Sequence, residues 1–392
     1  MVTKKPATYI AGFNGLRALA VTLVFLVHKV HDVRIQALNL PEVGVWMFFV
    51  LSGYLIIGEL HRQRRAIDRE ARSGVIGKQV RTFFIRRALR IFPAYYVLLI
   101  ALLILRRFYE HVGPDLGFAY HFSYLSNYWI AVVVRHWVGP FSIFWSLAIE
   151  QQFYLLAPFV FLMTRSKWHP AICIATIFLG AAGHAALYAA HVGAIGRLVL
   201  SPLNFTILAI GGLGYILAHS APLKRALRGA LPLMAGIAGI VFFAGHSLFL
   251  GAADPGDNPW FDYGLACCIA ILVLWVSQNQ QSRVVAWLEF RPIAYLGTIS
   301  YGFYLLHAFI PNPLGRALVM YAGVHLNPEL VETLGVLMDF AAAVVAASLS
   351  WRLVEAPIIA LYRRASPAKA HHASPTALGN PRSSHATGET GA

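Results

Sequence analysis

The chain has 392 residues, of which 58% are hydrophobic and only 12% are charged, and its mean hydropathy is +0.61. A soluble globular domain has about 25% charged residues, so this composition excludes a set of ordinary soluble domains and predicts one membrane domain with several crossings. The formal net charge is +15, but in a membrane protein the placement of that charge is more informative than its total.

Ten apolar stretches are long enough, or nearly long enough, to cross the roughly 30 Å of hydrocarbon in a bilayer. They cover residues 11–31, 41–60, 91–109, 145–163, 170–190, 197–218, 231–250, 262–277, 293–311 and 333–356. The aromatic and only moderately apolar segment 120–140 is predicted to be interfacial or re-entrant. The predicted fold class is therefore all-α, a polytopic membrane protein with about ten transmembrane helices.

The lysines and arginines predict the orientation of this domain. If the N-terminus is cytoplasmic and every stretch crosses, 24 basic side chains lie on the cytoplasmic side and seven on the other side. Cytoplasmic loops of membrane proteins carry an excess of Lys and Arg, so we predict that both termini are cytoplasmic. Residues 1–10 then form a basic cytoplasmic N-terminus, 11–362 the transmembrane domain, and 363–392 a disordered cytoplasmic tail without an apolar face.

The first apolar stretch contains Arg17 and His28, the only ionisable side chains between residues 15 and 28. Their separation of eleven positions is close to three helical turns, so both should share one face, roughly 16 Å apart along the axis. Ionisable groups are costly in hydrocarbon, and the pair therefore predicts a polar cavity or pathway. An imidazole is a natural general base for a hydroxyl group, whereas a guanidinium binds an anion or a carboxylate. The alternative for His28 is a hydrogen-bonded histidine in the protein core.

Arginines cluster just before the third apolar stretch, at positions 81, 86, 87 and 90. Clustered arginines at a membrane surface suit phosphate groups, either of a soluble cofactor or of an anionic lipid. The alternative is a positive anchor on the cytoplasmic side. Arg86, Arg87 and Arg90 lie at i, i+1 and i+4 beside Pro93 and are the predicted functional subset.

The fourth apolar stretch contains Ser146, Glu150 and Tyr154, which are spaced four residues apart and should share a helix face. A carboxylate at position 150 could orient an imidazole, bind a sugar hydroxyl or pair with an arginine. The alternative is an interfacial carboxylate that faces water.

The ninth stretch contains Ser300, Tyr304 and His307 at i, i+4 and i+7, again on one face. We predict that they line the substrate site or support it, and hydrogen bonding between helices explains the pattern equally well. In the second stretch, the Ser52-Gly53 pair predicts a close approach of two helix backbones. Ser52 as an acylated nucleophile is the weaker hypothesis, because the sequence places no base beside it.

These motifs, in this order, resemble the acyltransferase-3 family of integral-membrane acyltransferases, which includes O-antigen and exopolysaccharide acetylases. The resemblance depends on six stretches: Gly15-Leu16-Arg17 with its spacing to His28, Phe48–Tyr54, Arg86–Pro93, Trp145–Glu150, Ser300–His307 and Glu355-Ala356-Pro357. No nucleotide-binding glycine pattern, zinc-protease motif or serine-hydrolase motif is present in the sequence.

The resemblance implies about ten membrane helices and the transfer of an acyl group, usually acetyl, from cytoplasmic acyl-CoA to hydroxyl groups of carbohydrates or other acceptors. It implies that Arg17 and His28 are the essential pair and that Glu150 and the arginines of 86–90 are important. The family often has Asp where this chain has Asn14. If that acid orients the arginine in other members, another group must do so here, and Glu150 is a candidate.

We therefore expect an O-acyltransferase of the bacterial inner membrane that uses acyl-CoA, most simply acetyl-CoA, and acts on a cell-envelope carbohydrate or glycolipid, with His28 as general base. The expected partners are the lipid bilayer and the acceptor, with no nucleic acid and no metal. The acceptor (lipopolysaccharide, exopolysaccharide or another glycan), the acyl chain, an acyl-enzyme step and homo-oligomerisation are left open. The alternatives are a transporter or flippase of a lipid-linked sugar, which would bind no coenzyme A, and a purely structural or regulatory membrane protein.

Overall fold

The computed structural model describes residues 9–30, 38–70, 73–108, 116–218, 220–250, 259–311 and 327–365, and the single residues 35, 317 and 321. Every regular element in these ranges is helical, which confirms the predicted all-α class. Residues 1–8 of the predicted N-terminal segment and 366–392 of the predicted tail lie outside the described residues. The last helix, Ala356–Ala365, includes three residues that the sequence assigned to the tail.

The helices are, in chain order, α1 Phe13–Lys29, α2 Leu40–Glu70, α3 Ile76–Ile104, α4 Phe118–Phe122, α5 Ser126–Tyr128, α6 Phe144–Met163, α7 His169–Ala189, α8 Ala194–Val199, α9 Ser201–Leu217, α10 Ala221–Ala226, α11 Leu231–Leu250, α12 Pro259–Gln278, α13 Arg283–Leu288, α14 Arg291–Thr298, α15 Ser300–Leu306, α16 Pro328–Ser350 and α17 Ala356–Ala365. Short 3-10 turns occupy Ser73–Val75, Gly139–Ile143, Ser166–Trp168 and His307–Phe309, and π-helical turns occupy Trp129–Val134 and Trp351–Glu355.

Among the described residues, six helical segments are long and apolar enough to cross a membrane. They are Leu40–Glu70, Ile76–Ile104, Gly139–Met163, Ser166–Ala189, Trp260–Gln278 and Glu329–Tyr362. The helices at 201–217 and 231–246 are apolar but shorter. The structure thus supports an integral membrane protein, whereas the count of ten crossings stays a prediction.

Helices α2 and α3 are longer than the apolar stretches that predicted them. α2 continues to Glu70 rather than ending near residue 60, and α3 begins at Ile76 rather than at residue 91. Hydropathy detects only the apolar part of a helix, but Arg, Gln and Lys are also good helix formers, so the helices continue. The arginines at 81–90, predicted on a connecting segment, therefore lie on α3.

The predicted ninth stretch is not one helix, because the chain breaks between α14 and α15. The hydroxyl of Ser300 donates a hydrogen bond of 2.9 Å to the carbonyl of Gly297, a local bond that competes with the regular helix ladder. After Leu306 the chain tightens into the 3-10 turn His307–Phe309.

Helix α2 lies at the centre of the bundle and packs against α1, α6, α9 and α12. At Gly53 a Cβ atom would overlap the backbone carbonyl of Leu208 on α9, so only glycine permits this contact. The close approach predicted at Ser52-Gly53 is thus present. Gly297 packs in the same way against the carbonyl of Asn14, which holds α14 beside the start of α1.

The aromatic segment predicted to be interfacial or re-entrant forms the short helices α4 and α5 and the turns that follow them. Its main-chain carbonyls are anchored to the long helices. Tyr95 donates 2.8 Å to the carbonyl of His121, and Gln152 donates 2.7 Å to the carbonyl of Tyr124. The segment therefore packs against α3 and α6 rather than forming another long helix.

Candidate active site

Two cavities inside the bundle share three side chains in their walls, those of Arg17, Arg87 and Arg90. We call these three residues the arginine junction. The larger cavity, the basic chamber, has a volume of about 2250 Å³ including its open mouth. The smaller cavity, the inner chamber, has a volume of about 740 Å³ by the same definition.

The basic chamber combines cations with aromatic rings. Beyond the junction, its positive charges come from Arg62 and Arg86. Glu59, also in the wall, accepts hydrogen bonds from Arg62 and from Gln63. The aromatic side chains in its wall are Tyr9, Phe13, Tyr54, Phe83, Tyr215 and Trp351. Sequence reasoning missed Arg62 and these rings, because they come from segments that are distant in the chain and form no local motif.

Arg86, Arg87 and Arg90, the predicted functional subset, all line the basic chamber, but Arg81 does not, and only Arg87 and Arg90 also line the inner chamber. The guanidinium of Arg87 lies 5.4 Å from the ring centroid of Tyr154, a cation–π contact that fixes its position. Arg86 is exposed and reaches only the larger cavity. Arg87 and Arg90 therefore belong to the arginine junction, whereas Arg86 lines the basic chamber alone.

The inner chamber brings together the predicted face of α6 and Ser52 of α2. Ser146, Glu150 and Tyr154 all line it. The Ser52 hydroxyl donates a 2.6 Å hydrogen bond to Oε1 of Glu150, and the Tyr154 hydroxyl donates to Oγ of Ser52 at 3.3 Å. The carboxyl of Glu150 is thereby oriented in the chamber that contains the arginine junction.

Helix α15 forms another wall of the inner chamber through Ser300, Tyr301 and Tyr304. The hydroxyls of Tyr304 and Ser146 are 2.6 Å apart, which links α15 to α6. Tyr301, which sequence reasoning missed, donates 3.0 Å to the carbonyl of Ile91. Its spacing of three residues from Tyr304 puts the two tyrosines side by side on one face of a helix, and this spacing is the signal in the sequence that could have found Tyr301.

Arg17 is oriented by Asn14, not by Glu150. A terminal nitrogen of Arg17 donates 3.0 Å to Oδ1 of Asn14, and the Asn14 amide donates 3.4 Å to Thr298. The expectation that a residue other than Asn14 must orient Arg17 is therefore wrong, because Asn14 itself accepts this hydrogen bond. An amide oxygen accepts the same hydrogen bond as a carboxylate, although it has no charge.

His28 lines neither the basic chamber nor the inner chamber, so these two cavities do not extend along the whole Arg17–His28 face. The side chain of His28 is exposed, and its Nδ1 atom lies 3.1 Å from Nε2 of His307. His307 is fully buried and contacts the carbonyl of Tyr304, which lines the inner chamber. Arg17 therefore lies at the arginine junction, whereas His28 contacts His307 outside the walls of both chambers.

Glu355, part of the late motif in the resemblance, lies in the π-helical turn between α16 and α17. It is only 2% exposed and accepts a 3.2 Å hydrogen bond from Ser350. Within the described ranges, no group of three or more His, Cys, Asp or Glu side chains is placed to hold a metal ion.

Comparison with known proteins adds independent information to this geometry. The family model described as "Acyltransferase domain" matches residues 10–354. The chain is 28% identical to peptidoglycan O-acetyltransferase OatA of Listeria monocytogenes, over 91% of this chain and 57% of that protein. It is 27% identical to O-acetyltransferase OatA of Staphylococcus aureus, over 89% of this chain and 57% of that protein. The chain thus spans a little over half the length of these relatives, and no solved structure matches it.

Proposed function

This chain belongs to the acyltransferase-3 family, whose domain matches residues 10–354, and on that premise we propose that it is a membrane O-acetyltransferase acting on a cell-envelope carbohydrate. The donor is cytoplasmic acetyl-CoA. Similarity to a protein named as a peptidoglycan O-acetyltransferase supports peptidoglycan as the acceptor. The transporter alternative has no support from the family match, which is to an acyltransferase domain.

The observation that supports the proposal is a pair of cavities that share the arginine junction in their walls. Coenzyme A has a phosphorylated nucleotide head and a long flexible arm that ends in the thioester. The basic chamber offers Arg62 and Arg86 to phosphate groups and aromatic rings to the base. The arginine junction suits the remaining phosphates, and the smaller inner chamber suits the arm, whose thioester end must extend beyond Tyr304 to meet the hydroxyl at His28.

The orientation of the protein follows from its charge. We propose that residues 11–362 cross the bacterial inner membrane ten times. Both termini then lie in the cytoplasm. The distribution of 24 basic residues against seven supports this orientation. The basic chamber then opens toward the cytoplasm, and the end of α1 with His28 is directed to the opposite side, where the acceptor is found.

The proposed reaction is direct transfer. Nε2 of His28 takes the proton of an acceptor hydroxyl, the oxygen forms a bond to the acetyl carbon, and the carbon–sulfur bond breaks. The sulfur leaves as the thiolate of coenzyme A and is then protonated. General base assistance is worth roughly 10²–10⁴-fold in rate. Glu150 supports the reaction as the carboxyl group that faces the arginine junction.

The experiment that tests this function measures release of free thiol from acetyl-CoA by the purified protein in nanodiscs, with peptidoglycan fragments as acceptor. His28→Asn is compared with His191→Asn, the same substitution in an exposed turn at a φ of 56°, which asparagine adopts readily. We expect release that depends on the acceptor, is reduced roughly 10²–10⁴-fold in His28→Asn, and is unchanged in His191→Asn.

Coenzyme A binding is measured in parallel as an increase in melting temperature, since a ligand that binds only the folded protein stabilises it. Folded protein that neither binds coenzyme A nor releases thiol would overturn the proposed function. Binding without release would retain the donor site and reject peptidoglycan or acetyl as the substrate. Normal release by His28→Asn would reject His28 as the base.

A further inference from the structure

We propose that His307 is a positioning residue that fixes the tautomer and the orientation of His28, so that Nε2 of His28 is the proton-accepting atom. The inference rests on the proposed function, in which His28 is the base. It assigns this role to a residue that the sequence identified only as one of several polar groups on α15.

The ring of His307 is held in one orientation by its surroundings. It is 0% exposed and stacks on Phe303 with ring centroids 6.2 Å apart and an interplanar angle of 10°. Phe25 of α1 lies on it from another direction, with centroids 6.5 Å apart. The residue begins the 3-10 turn that follows α15.

The hydrogen bonds of His307 determine which of its nitrogens has the proton. Nδ1 lies 2.7 Å from the backbone carbonyl of Tyr304, and a carbonyl can only accept. Nδ1 therefore has the hydrogen. A buried imidazole without a carboxylate partner is disfavoured in its charged form, so the ring has one N–H and Nε2 is an acceptor.

The tautomer of His28 follows from that of His307. Nε2 of His307 is 3.1 Å from Nδ1 of His28, so Nδ1 of His28 must donate. Its Nε2 atom then has an available lone pair. The side chain of His28 is exposed, and we place the acceptor hydroxyl against this atom.

The His28–His307 pair is comparable to part of a catalytic triad, in which a third group holds the catalytic histidine in the tautomer that the reaction needs. Here the third group is a neutral imidazole rather than a carboxylate. When His28 accepts a proton, its Nδ1–H still has an acceptor, so the charged form stays hydrogen bonded throughout the step.

The test uses two substitutions that separate hydrogen bonding from packing. His307→Gln retains an amide N–H for the Tyr304 carbonyl and an amide oxygen for His28. His307→Phe retains the ring between Phe25 and Phe303 but has neither group. Melting temperature and coenzyme A binding confirm that both variants are folded.

We expect kcat for acetyl transfer to fall about 10²-fold or more in His307→Phe, within the range that a general base supplies, with KM for acetyl-CoA unchanged. His307→Gln should recover most of that loss. In protein labelled with ¹⁵N-histidine, the NMR signal of His28, assigned by its absence in His28→Asn, should show Nδ1–H in wild type and in His307→Gln and lose that tautomer in His307→Phe.

Unchanged kcat and an unchanged His28 tautomer in His307→Phe would overturn the inference. Equal losses in His307→Phe and His307→Gln would also overturn it, because the ring and not its hydrogen bonds would then be required. If wild-type protein transfers no acyl group, the proposed function fails, while the NMR measurement still decides whether His307 sets the tautomer of His28.

Discussion

Ser52 on α2 donates a 2.6 Å hydrogen bond to Glu150 on α6, although the two residues are 98 positions apart in the chain. Tyr154 donates to the same serine at 3.3 Å. The hydroxyls of Ser52 and Tyr154 therefore form a short relay that orients the Glu150 carboxyl in the wall of the inner chamber. A serine that only orients Glu150 and a serine that is itself acylated predict different results when Ser52 is replaced.

Replacement of Ser52 by alanine should reduce acetyl transfer about 10–100-fold without abolishing it, because a hydrogen bond to a charged group contributes about 1.5–3 kcal/mol and each 1.4 kcal/mol is tenfold. Ser52→Thr retains a hydroxyl and is the matched control, with activity close to wild type. The measurement is thiol release from acetyl-CoA in the presence of acceptor. Complete loss in folded Ser52→Ala, together with an acetylated Ser52 in wild type detected by mass spectrometry, would instead make Ser52 the nucleophile.

Arg87 should contribute more to donor binding than any arginine outside the cavities. Arg87→Ala is expected to weaken coenzyme A binding about 10–100-fold, since charge-assisted hydrogen bonds are worth about 1.5–3 kcal/mol and each 1.4 kcal/mol is tenfold. Arg81 lies on the same helix and is exposed, so Arg81→Ala should leave binding unchanged. Thermal shifts at several coenzyme A concentrations measure both. Similar losses in the two variants would mean that net positive charge, and not the junction, binds the donor.

The hydroxyls of Ser146 and Tyr304 should be energetically coupled, because they are 2.6 Å apart and both buried. Hydrogen bonds between membrane helices are worth about 0.6–2 kcal/mol. In a double-mutant cycle, Ser146→Ala and Tyr304→Phe should each lower the free energy of unfolding, and the double variant should lose less than the sum. Reversible unfolding in mild detergent measures this. Strictly additive losses would show that the two helices are held by other contacts.

Gly53 should be irreplaceable in the packing of α2 against α9. A Cβ atom at this position would overlap the carbonyl of Leu208, so Gly53→Ala should destabilise the protein by about 1–3 kcal/mol through overpacking. Gly77 also lies in a helix, but a Cβ atom added there would meet no other atom within 4 Å, and Gly77→Ala should be neutral or slightly stabilising. Melting temperatures of the two variants make the comparison. A tolerated Gly53→Ala would contradict the close helix contact.

Local patterns in the sequence were sufficient for the all-α class and for one wall of the site. Hydropathy identified the apolar cores of the long helices, because burial in lipid requires a run of apolar residues whatever its neighbours are. The four-residue spacing of Ser146, Glu150 and Tyr154 predicted a shared face, and all three line the inner chamber. Periodicity could do this because α6 is regular through this stretch, so sequence spacing translates directly into direction.

The same reasoning could not decide the surroundings of a side chain where these depend on another segment. Arg17 lines both described cavities and His28 lines neither, because the turn after α15 places His307 beside His28.

The sequence by itself thus determined the class of the protein, the approximate positions of its helices and the residue types available for chemistry, since all three depend on local composition and spacing. Only the tertiary structure decided which of these residues meet: Asn14 with Thr298, Ser52 with Glu150, and His28 with His307. The physical reason is that these contacts across the bundle depend on where helices break and how closely small residues let them pack, and neither is encoded in the period of one helix.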